Sequence, residues 1–582
     1  MKVTVARTAG FCMGVRRAVE LALDAPSKSD GPIYTFGPLI HNPQVLALFA
    51  EKGVSILDKI PEEASGTVLV RAHGIAPGTH RRLKDAGFKV INATCPRVIK
   101  VQSIIKGHAR KKYDIIIVGD QDHPEVIGLL GYAAGRGVVV PSLKALTELP
   151  RSEQAIIVAQ TTQNICEYDR IRAWAAQERP HYKFFNTICD STQKRQAEVR
   201  RLAQDADAVV VVGGKESGNT RRLASIVKVA GKPAYHVESE QGLDIKSLSR
   251  MKKVGITAGA STPSWIIKRV MTTLEQISLH GKSPWRACWL RLRRIFLLTN
   301  IYVALGAGCL TFATSRLQGL PAMEYSVAVA VLYTMSMHIL NHLTGKEESK
   351  YNDPYREKFY RSHKVGLTLM ALAAGSLGLA AAIQMGAVAF WVLLCMSLLG
   401  LSYNLRIVPH SMAARLKFSS LRDIPGSKTI LIALAWGIVT AGLPFLAAGA
   451  RSWLSGLLAM TWATGIVFCR TAFFDILDIQ GDRIVGKETL PILIGSKKSF
   501  KLLQGLLLLI LLLLPLSGSL GLLSPLAFLL MLPPLLLLVI ISTHQHGSPL
   551  PGIGMQFKVE SLFVLCGALG ILCSLVSRLC FV

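Results

Sequence analysis

Between residues 295 and 580 the chain carries nine apolar stretches near membrane-spanning length, at roughly 295–314, 323–342, 364–384, 387–405, 429–449, 453–474, 502–517, 519–542 and 559–580. In lipid such stretches have to be helical, because an open strand or loop leaves backbone polar groups unsatisfied there. Residues 1–285 contain none of them and read as a mixed soluble sequence. Two bodies follow: a soluble domain over 1–278, a basic and aromatic linker over 279–294, and an all-α polytopic membrane domain of about nine helices over 295–582.

The formal net charge of +29 raises nucleic-acid binding as a function. The excess in the second half sits in alternate loops, however. Lys346, Lys350, Arg356 and Lys358 follow the second span, Arg415, Lys417, Arg422 and Lys428 the fourth, and Arg483, Lys487, Lys497 and Lys498 the sixth. The intervening loops hold little beyond Arg316 and Arg451. By the positive-inside rule the basic loops face the cytosol. Basic residues in the first half are dispersed, without the aromatic-interleaved patch of single-stranded nucleic-acid binders, so no nucleic-acid partner is expected. The opening segment MKVTVARTAGFCMGV lacks the apolar core of a secretory signal. The expected setting is a multi-pass protein of the inner (cytoplasmic) membrane with its soluble domain in the cytosol. Thiols stay reduced there, so cysteines are read as ligands rather than disulfides.

Through residues 1–280 short apolar runs (TVLVRAHG, YDIIIVGD, AIIVAQTT, AVVVVGG, KVGITAGAS) alternate with amphipathic segments such as RRAVELALDA, the mark of βα units. Nearly every run ends in Gly, His, Ser or Thr, where α/β folds place ligand-binding loops. A repeat is also visible. Gly37 to His41, Gly119 to His123 and Gly213 to Ser217 share a glycine followed four residues later by a polar or imidazole group. Cys12 precedes His41 by 29 residues, while Cys95 precedes His123 and Cys189 precedes Ser217 by 28. This predicts three pseudo-threefold-related α/β units, each giving one thiolate and one polar loop to a common centre. Three such thiolates suit zinc or an iron–sulfur cluster; the CxxC spacing of most structural zinc sites is absent, which favours the cluster. A cubane normally takes four protein thiolates, so three leave one iron open.

Around that centre the candidate groups are His41, His73, His123, Thr161, Thr162, Ser217, Asn219 and Ser261. Imidazoles, hydroxyls, an amide and glycine-rich backbone make an anion site of the diphosphate kind. Glu125, a carboxylate among donors, is the candidate to relay a proton.

The motifs GFCMGVRRAV, GPLIHNPQV, RAHG, ATCP, GDQDHPEV, QTT, SGNTRRLA and TAGASTP, in this order over residues 1–278, resemble the 4-hydroxy-3-methylbut-2-enyl diphosphate reductases. The resemblance implies a trefoil of three α/β units around a [4Fe-4S] cluster held by Cys12, Cys95 and Cys189. It implies reduction and dehydration of an allylic diphosphate to isopentenyl and dimethylallyl diphosphates, with reduced ferredoxin or flavodoxin as donor. Carried over by motif, the diphosphate is held by His41, His73, His123, Ser217, Asn219 and Ser261, and Glu125 supplies protons through Thr161 or Thr162. Gly218 stands where some relatives have a second serine, so a backbone N–H replaces one hydroxyl contact there.

In the second half Asp475, Asp478 and Asp482 share one helical face if the sixth span continues, and such carboxylates suit Mg²⁺ bridging a diphosphate. The plain alternative is a solvated helix end. With nine spans and this motif, residues 295–580 resemble the UbiA-type prenyltransferases. Their other Asp-rich motif, after span two, is degenerate here. Asn341-His342 stands in its place and Asn352-Asp353 comes only later. Either Asn341, Asp353 and Glu357 substitute in metal binding, or this half binds a prenyl substrate with altered chemistry, down to a non-catalytic anchor.

Overall fold

In the computed structural model two compact units, Met1–Gly281 and Lys282–Val582, divide the chain. The structure describes residues 1–277, 284–321, 324–345, 350–403, 424, 426–449, 452–545 and 552–580. Lys346, Arg415, Lys417, Arg422, Arg451 and positions 279–283 of the expected linker lie outside the described residues.

The first unit builds three four-stranded, wholly parallel sheets from one topology. One sheet contains β2 (Ile33–Phe36), β3 (Val54–Leu57), β4 (Thr67–Val70) and β5 (Lys89–Asn92) in the order β3-β2-β4-β5. The next contains β6 (Asp114–Val118), β7 (Gly137–Val140), β8 (Ala155–Ala159) and β9 (Lys183–Phe184) in the order β7-β6-β8-β9. The last is β11-β10-β12-β1, from β10 (Ala208–Val212), β11 (Ala234–Val237), β12 (Lys253–Ala258) and the chain's first strand, β1 (Lys2–Val5). Strand β1 thus fills the place that β5 and β9 fill elsewhere, with Lys2 opposite Lys253 and Val5 opposite Ile256.

Central strands β4, β8 and β10 are buried at every residue, as parallel strands covered on both faces must be. Helices begin where proline stands at the first turn, at Pro43, Pro96 and Pro124, because a fixed φ and a missing N–H cost nothing there. These prolines follow Asn42, Cys95 and His123, so the residue types that start the helices are next to those that face the site.

In the second unit seven described helices are long and apolar enough to cross a membrane: Glu324–Thr344, Lys364–Ile383, Ser427–Ala447, Trp453–Ile484, Ser496–Ser519, Leu526–Gln545 and Ile553–Val576. An eighth is counted if Cys288–Leu298 and Ile301–Leu317, bent by 73° to each other, form one span. The expected nine is therefore seven or eight. Ala387–Ser402 is apolar and 16 residues long as far as it is described, with positions 404–423 outside the described residues. Within the expected linker the helix Pro284–Leu298 begins, and a turn falls at Asn300, buried in the left-handed conformation at φ 58°. The core packs Trp462, Phe473 and Phe563 with Leu503, Leu507 and Leu537.

Candidate active site

Each of the three cysteines stands at the N-cap of the helix that follows the fourth strand of its sheet: Cys12 before Met13–Lys28, Cys95 before Pro96–Ala109, and Cys189 before Asp190–Asp205. None uses its side chain as a cap. Their backbone N–H groups donate to equivalent carbonyls, Cys12 to Ala260 at 3.2 Å, Cys95 to Ala72 at 2.9 Å and Cys189 to Thr161 at 3.0 Å. The backbone is pinned while the sulfur is left for a ligand, at the end of a helix that favours negative charge. Gly14 has the same logic, because a Cβ there would collide with Cys95 Sγ.

The loops after the first strands bring His41, His123 and Ser217. The loops after the third strands bring His73, Thr161 with Thr162, and Ser261. This second set repeats as the first does, a regularity that the spacing of cysteines to polar loops did not reveal. One cavity is lined by Cys12, Cys95, Cys189, His41, His73, His123, Glu125, Thr161, Thr162, Ser217, Gly218, Asn219 and Ser261. All thirteen expected positions of the first half are thereby brought together.

The three imidazoles pack with ring centroids 4.9 Å (His41 and His73), 5.3 Å (His73 and His123) and 6.1 Å (His41 and His123) apart. Burial holds all three below the ordinary histidine range, His123 at about 4, and the Arg71 guanidinium pushes each the same way. They are neutral at pH 7, and the Arg71 cation beside them favours an anion over a metal ion there. His123 Nδ1 accepts from the Glu125 N–H at 3.1 Å, so its proton belongs on Nε2. Among the described residues His73 Nδ1 and Asn219 Nδ2 are buried with no hydrogen-bond partner, two polar atoms left for a ligand.

Glu125 is buried, and burial raises its carboxyl to about 7. Thr161 opposes that shift with two bonds, its N–H to Oε1 at 2.7 Å and its hydroxyl to Oε2 at 2.9 Å. Thr162 instead accepts from Gln160 at 3.1 Å and from Arg222 at 3.5 Å. Of the two threonines, Thr161 is the one joined to Glu125.

Sequence reading missed the arginines that tie the cysteine loops together. Arg17 of the Cys12 helix donates to Thr94 O at 3.1 Å, next to Cys95. Arg97 of the Cys95 helix pairs with Asp190, next to Cys189. Arg195 of the Cys189 helix donates to Gly10 O at 2.9 Å, two residues before Cys12. Arg222 also pairs with Asp120 at 2.8 Å beside the histidines. Their sequence signal was a basic residue two to six positions after each cysteine.

The thiols suit a cluster rather than zinc. Among the described residues the one trio of His, Cys or carboxylate ligand atoms within 4.8 Å of one another is His41, His73 and His123. The three sulfurs are spread wider, whereas a single zinc ion with bonds of about 2.3 Å needs sulfurs about 3.8 Å apart.

In the membrane unit the helix Trp453–Ile484 does continue past the span, carrying Asp475, Asp478 and Asp482. Asp475 and Asp482 are buried, which sets aside the solvated helix end. Thr429 donates to Asp475, and Asn352 Nδ2 donates to Asp482 Oδ1 at 2.8 Å. A Cβ on Gly481 would collide with the Asn352 carboxamide, so this glycine permits the approach. The candidate substitutes have these surroundings. Asp353 caps Pro354–Ser362 and pairs with Arg356 at 3.3 Å, Glu357 pairs with Arg361 at 3.9 Å, and Asn341 is exposed. Asn352 is the residue that meets the acidic helix.

Comparison with known proteins gives each half a class, an oxidoreductase first and a prenyltransferase-type membrane protein second. Residues 3–275 match the LytB protein family and residues 301–549 the UbiA prenyltransferase family. The chain belongs to the 4-hydroxy-3-methylbut-2-enyl diphosphate reductase family and carries a UbiA-family domain behind it. It is 40% identical to the reductase of Geotalea uraniireducens over 278 residues, 48% of this chain and 98% of that one. It is 41% identical to the Aquifex aeolicus reductase over 278 residues, 47% of this chain and 96% of that one. Among solved structures, a UbiA homologue from Archaeoglobus fulgidus bound to GPP and Mg²⁺ is 16% identical, with a TM-score of 0.36, over 48% of this chain and 98% of that one.

Proposed function

We propose that the first half converts (E)-4-hydroxy-3-methylbut-2-enyl diphosphate to isopentenyl and dimethylallyl diphosphates, taking up two electrons and two protons and releasing water. The observation that carries this reading is the meeting, in one cavity, of three N-cap thiols, a buried carboxyl–threonine pair and a neutral histidine trio. The three units are read as a trefoil about a pseudo-threefold axis. Cys12, Cys95 and Cys189 would hold a [4Fe-4S] cluster, which when bound supplies electrons and an iron with no protein ligand.

The chain's own groups do the rest. His123 Nε2–H, His41, His73, Ser217, Asn219, Ser261 and the Gly218 N–H hold the diphosphate, and its charge is met by Arg71 behind the histidines. Glu125 keeps its proton up to about pH 7; once protonated, its carboxyl O–H donates to the Thr161 oxygen 2.9 Å away, and Thr161 gives its own hydroxyl proton to the departing hydroxyl. Electrons would come from reduced ferredoxin or flavodoxin.

The second half is read as a prenyltransferase of the inner membrane, its basic loops and the reductase on the cytosolic side, with Asp475, Asp478 and Asp482 holding Mg²⁺. A non-catalytic anchor or prenyl-lipid-binding module is the second reading, favoured by the capping role of Asp353 and the exposure of Asn341. Anaerobic purification followed by iron, sulfide and reductase assays tests the first half. Colourless, iron-free and inactive protein would sink it.

A further inference from the structure

The threefold plan of the first unit is broken at one buried position. Six residues after each cysteine, on the helix it caps, stand Ala18, Val101 and Arg195. All three are buried, at 0%, 1% and 2% exposure. Two units therefore place an aliphatic side chain where the third places a guanidinium. The other two arginines that tie the cysteine loops, Arg17 and Arg97, are exposed; Arg97 and Arg195 both line the cavity, but of the three only Arg195 is buried.

A buried guanidinium is costly unless an anion faces it. Arg195 donates to two backbone carbonyls, Ala258 O at 2.6 Å and Gly10 O at 2.9 Å. Among the described residues no carboxylate lies within ion-pair distance of it. The groups whose negative charge acts on it most are Cys12 and Cys189, then Glu198. Glu198 is itself engaged by the Arg7 and Thr8 N–H groups and the Thr8 hydroxyl, at 2.6 to 2.8 Å. The negative charge that Arg195 answers is thus that of the Cys12 and Cys189 sulfurs as ligands, and its bond to Gly10 O places it two residues from Cys12.

We infer that Arg195 is the fixed counter-cation of the metal centre, setting its reduction potential from the Cys12–Cys189 side. This rests on the cluster reading above. A cubane on three thiolates is net negative, and one charge more negative once reduced, so a nearby buried cation favours the reduced form. Arg195 touches no reacting atom in this account. It acts through the cluster, and by anchoring the Gly10 and Ala258 carbonyls it also fixes the wall that carries Cys12.

The test uses the full chain, purified anaerobically in detergent, with iron and sulfide content and the one-electron midpoint of the cluster followed by electron paramagnetic resonance. In Arg195→Gln the midpoint falls, so that at the parent's midpoint the oxidised form exceeds the reduced at least tenfold, 59 mV for one electron. Arg195→Lys, which keeps the charge, stays within about threefold of the parent on the same scale. Glu198→Gln, which removes a negative charge, moves the midpoint upward. A folded Arg195→Gln that assembles no cluster while Arg195→Lys does supports the inference; should Arg195→Gln not fold, the direction of the Glu198→Gln shift decides. An unchanged midpoint in Arg195→Gln, an equal fall in Arg195→Lys, or no rise in Glu198→Gln overturns it. A parent chain without iron and sulfide instead overturns the cluster reading.

Discussion

A single carboxyl carries the sharpest chemical consequence. Burial lifts Glu125 to about 7, and the two Thr161 bonds, which favour the ionised form, restrain that rise. A raised carboxyl is protonated below its pKa, so reductase turnover should be level below about pH 7 and fall above it. Glu125→Gln should lose this alkaline limb together with roughly 10²–10⁴ of kcat, the usual worth of a positioned proton donor. Thr161→Val removes one of the bonds that favour the carboxylate, so its limb should move to higher pH while kcat falls; steady-state kinetics from pH 5.5 to 9 read both effects. Gly218 gives a milder test. A Cβ there meets Arg222, Asp120 and His123 at 3.4 to 3.7 Å, ordinary contact, so Gly218→Ser should fold normally. Its hydroxyl would add one hydrogen bond to the anionic diphosphate, about 1.5–3 kcal/mol, and lower KM by roughly 10- to 100-fold without changing kcat. Most of these residues were legible as types at strand ends. Arg195 was not, because an arginine in a helix reads as solvated until its neighbours are known.

Among the elements, β1 bears a duty its sequence conceals. KVTV is a short, unremarkable run, and only the pairing with β12 shows that the chain's start closes the sheet made by its residues 208–258. Deleting residues 2–6 should expose the edge of β12, where Val254 and Ile256 are buried, and release the loop that carries Cys12. The first unit should then become protease-sensitive and iron-free, whereas Cys12→Ser, which keeps the strand, should lose iron but stay resistant. Limited proteolysis beside iron analysis separates the two. The repeat of cysteines and polar loops was legible because a fixed topology keeps the same distance between them. The closure by β1 was not, since pairing across some 250 residues leaves no local periodicity. In the membrane unit the continuation of the acidic helix was legible from the i, i+3, i+7 carboxylates, while the role of Asn352 was hidden in a stretch that reads as loop. Gly481→Ala tests that contact. The added methyl should break the Asn352–Asp482 bond and cost about 1–3 kcal/mol by overpacking, seen as a lower melting temperature in detergent.

For the whole molecule the question is whether two families in one chain mean two reactions. The nine apolar stretches gave the division plainly, and among the described residues seven or eight of them are long enough to span, depending on the bend at Asn300. Lipid composition sets where helices lie but says nothing of what they catalyse. The case for chemistry rests on Asp475 and Asp482, since buried carboxylates at the end of a span are costly and are kept for a cation or a switch. The case for an anchor rests on the loss of the companion acidic motif. Paired variants decide between them. If both halves react, Asp478→Asn should abolish Mg²⁺-dependent prenyl transfer in membranes and leave reductase turnover within twofold. Cys95→Ser should do the reverse when a prenyl diphosphate is supplied. If the helical half is an anchor, Asp478→Asn should change neither reaction, because no transfer exists to lose. A fall in reductase turnover with Asp478→Asn would mean that the halves do not act independently, since the cysteines and histidines that bind the reductase substrate all lie within Met1–Gly281.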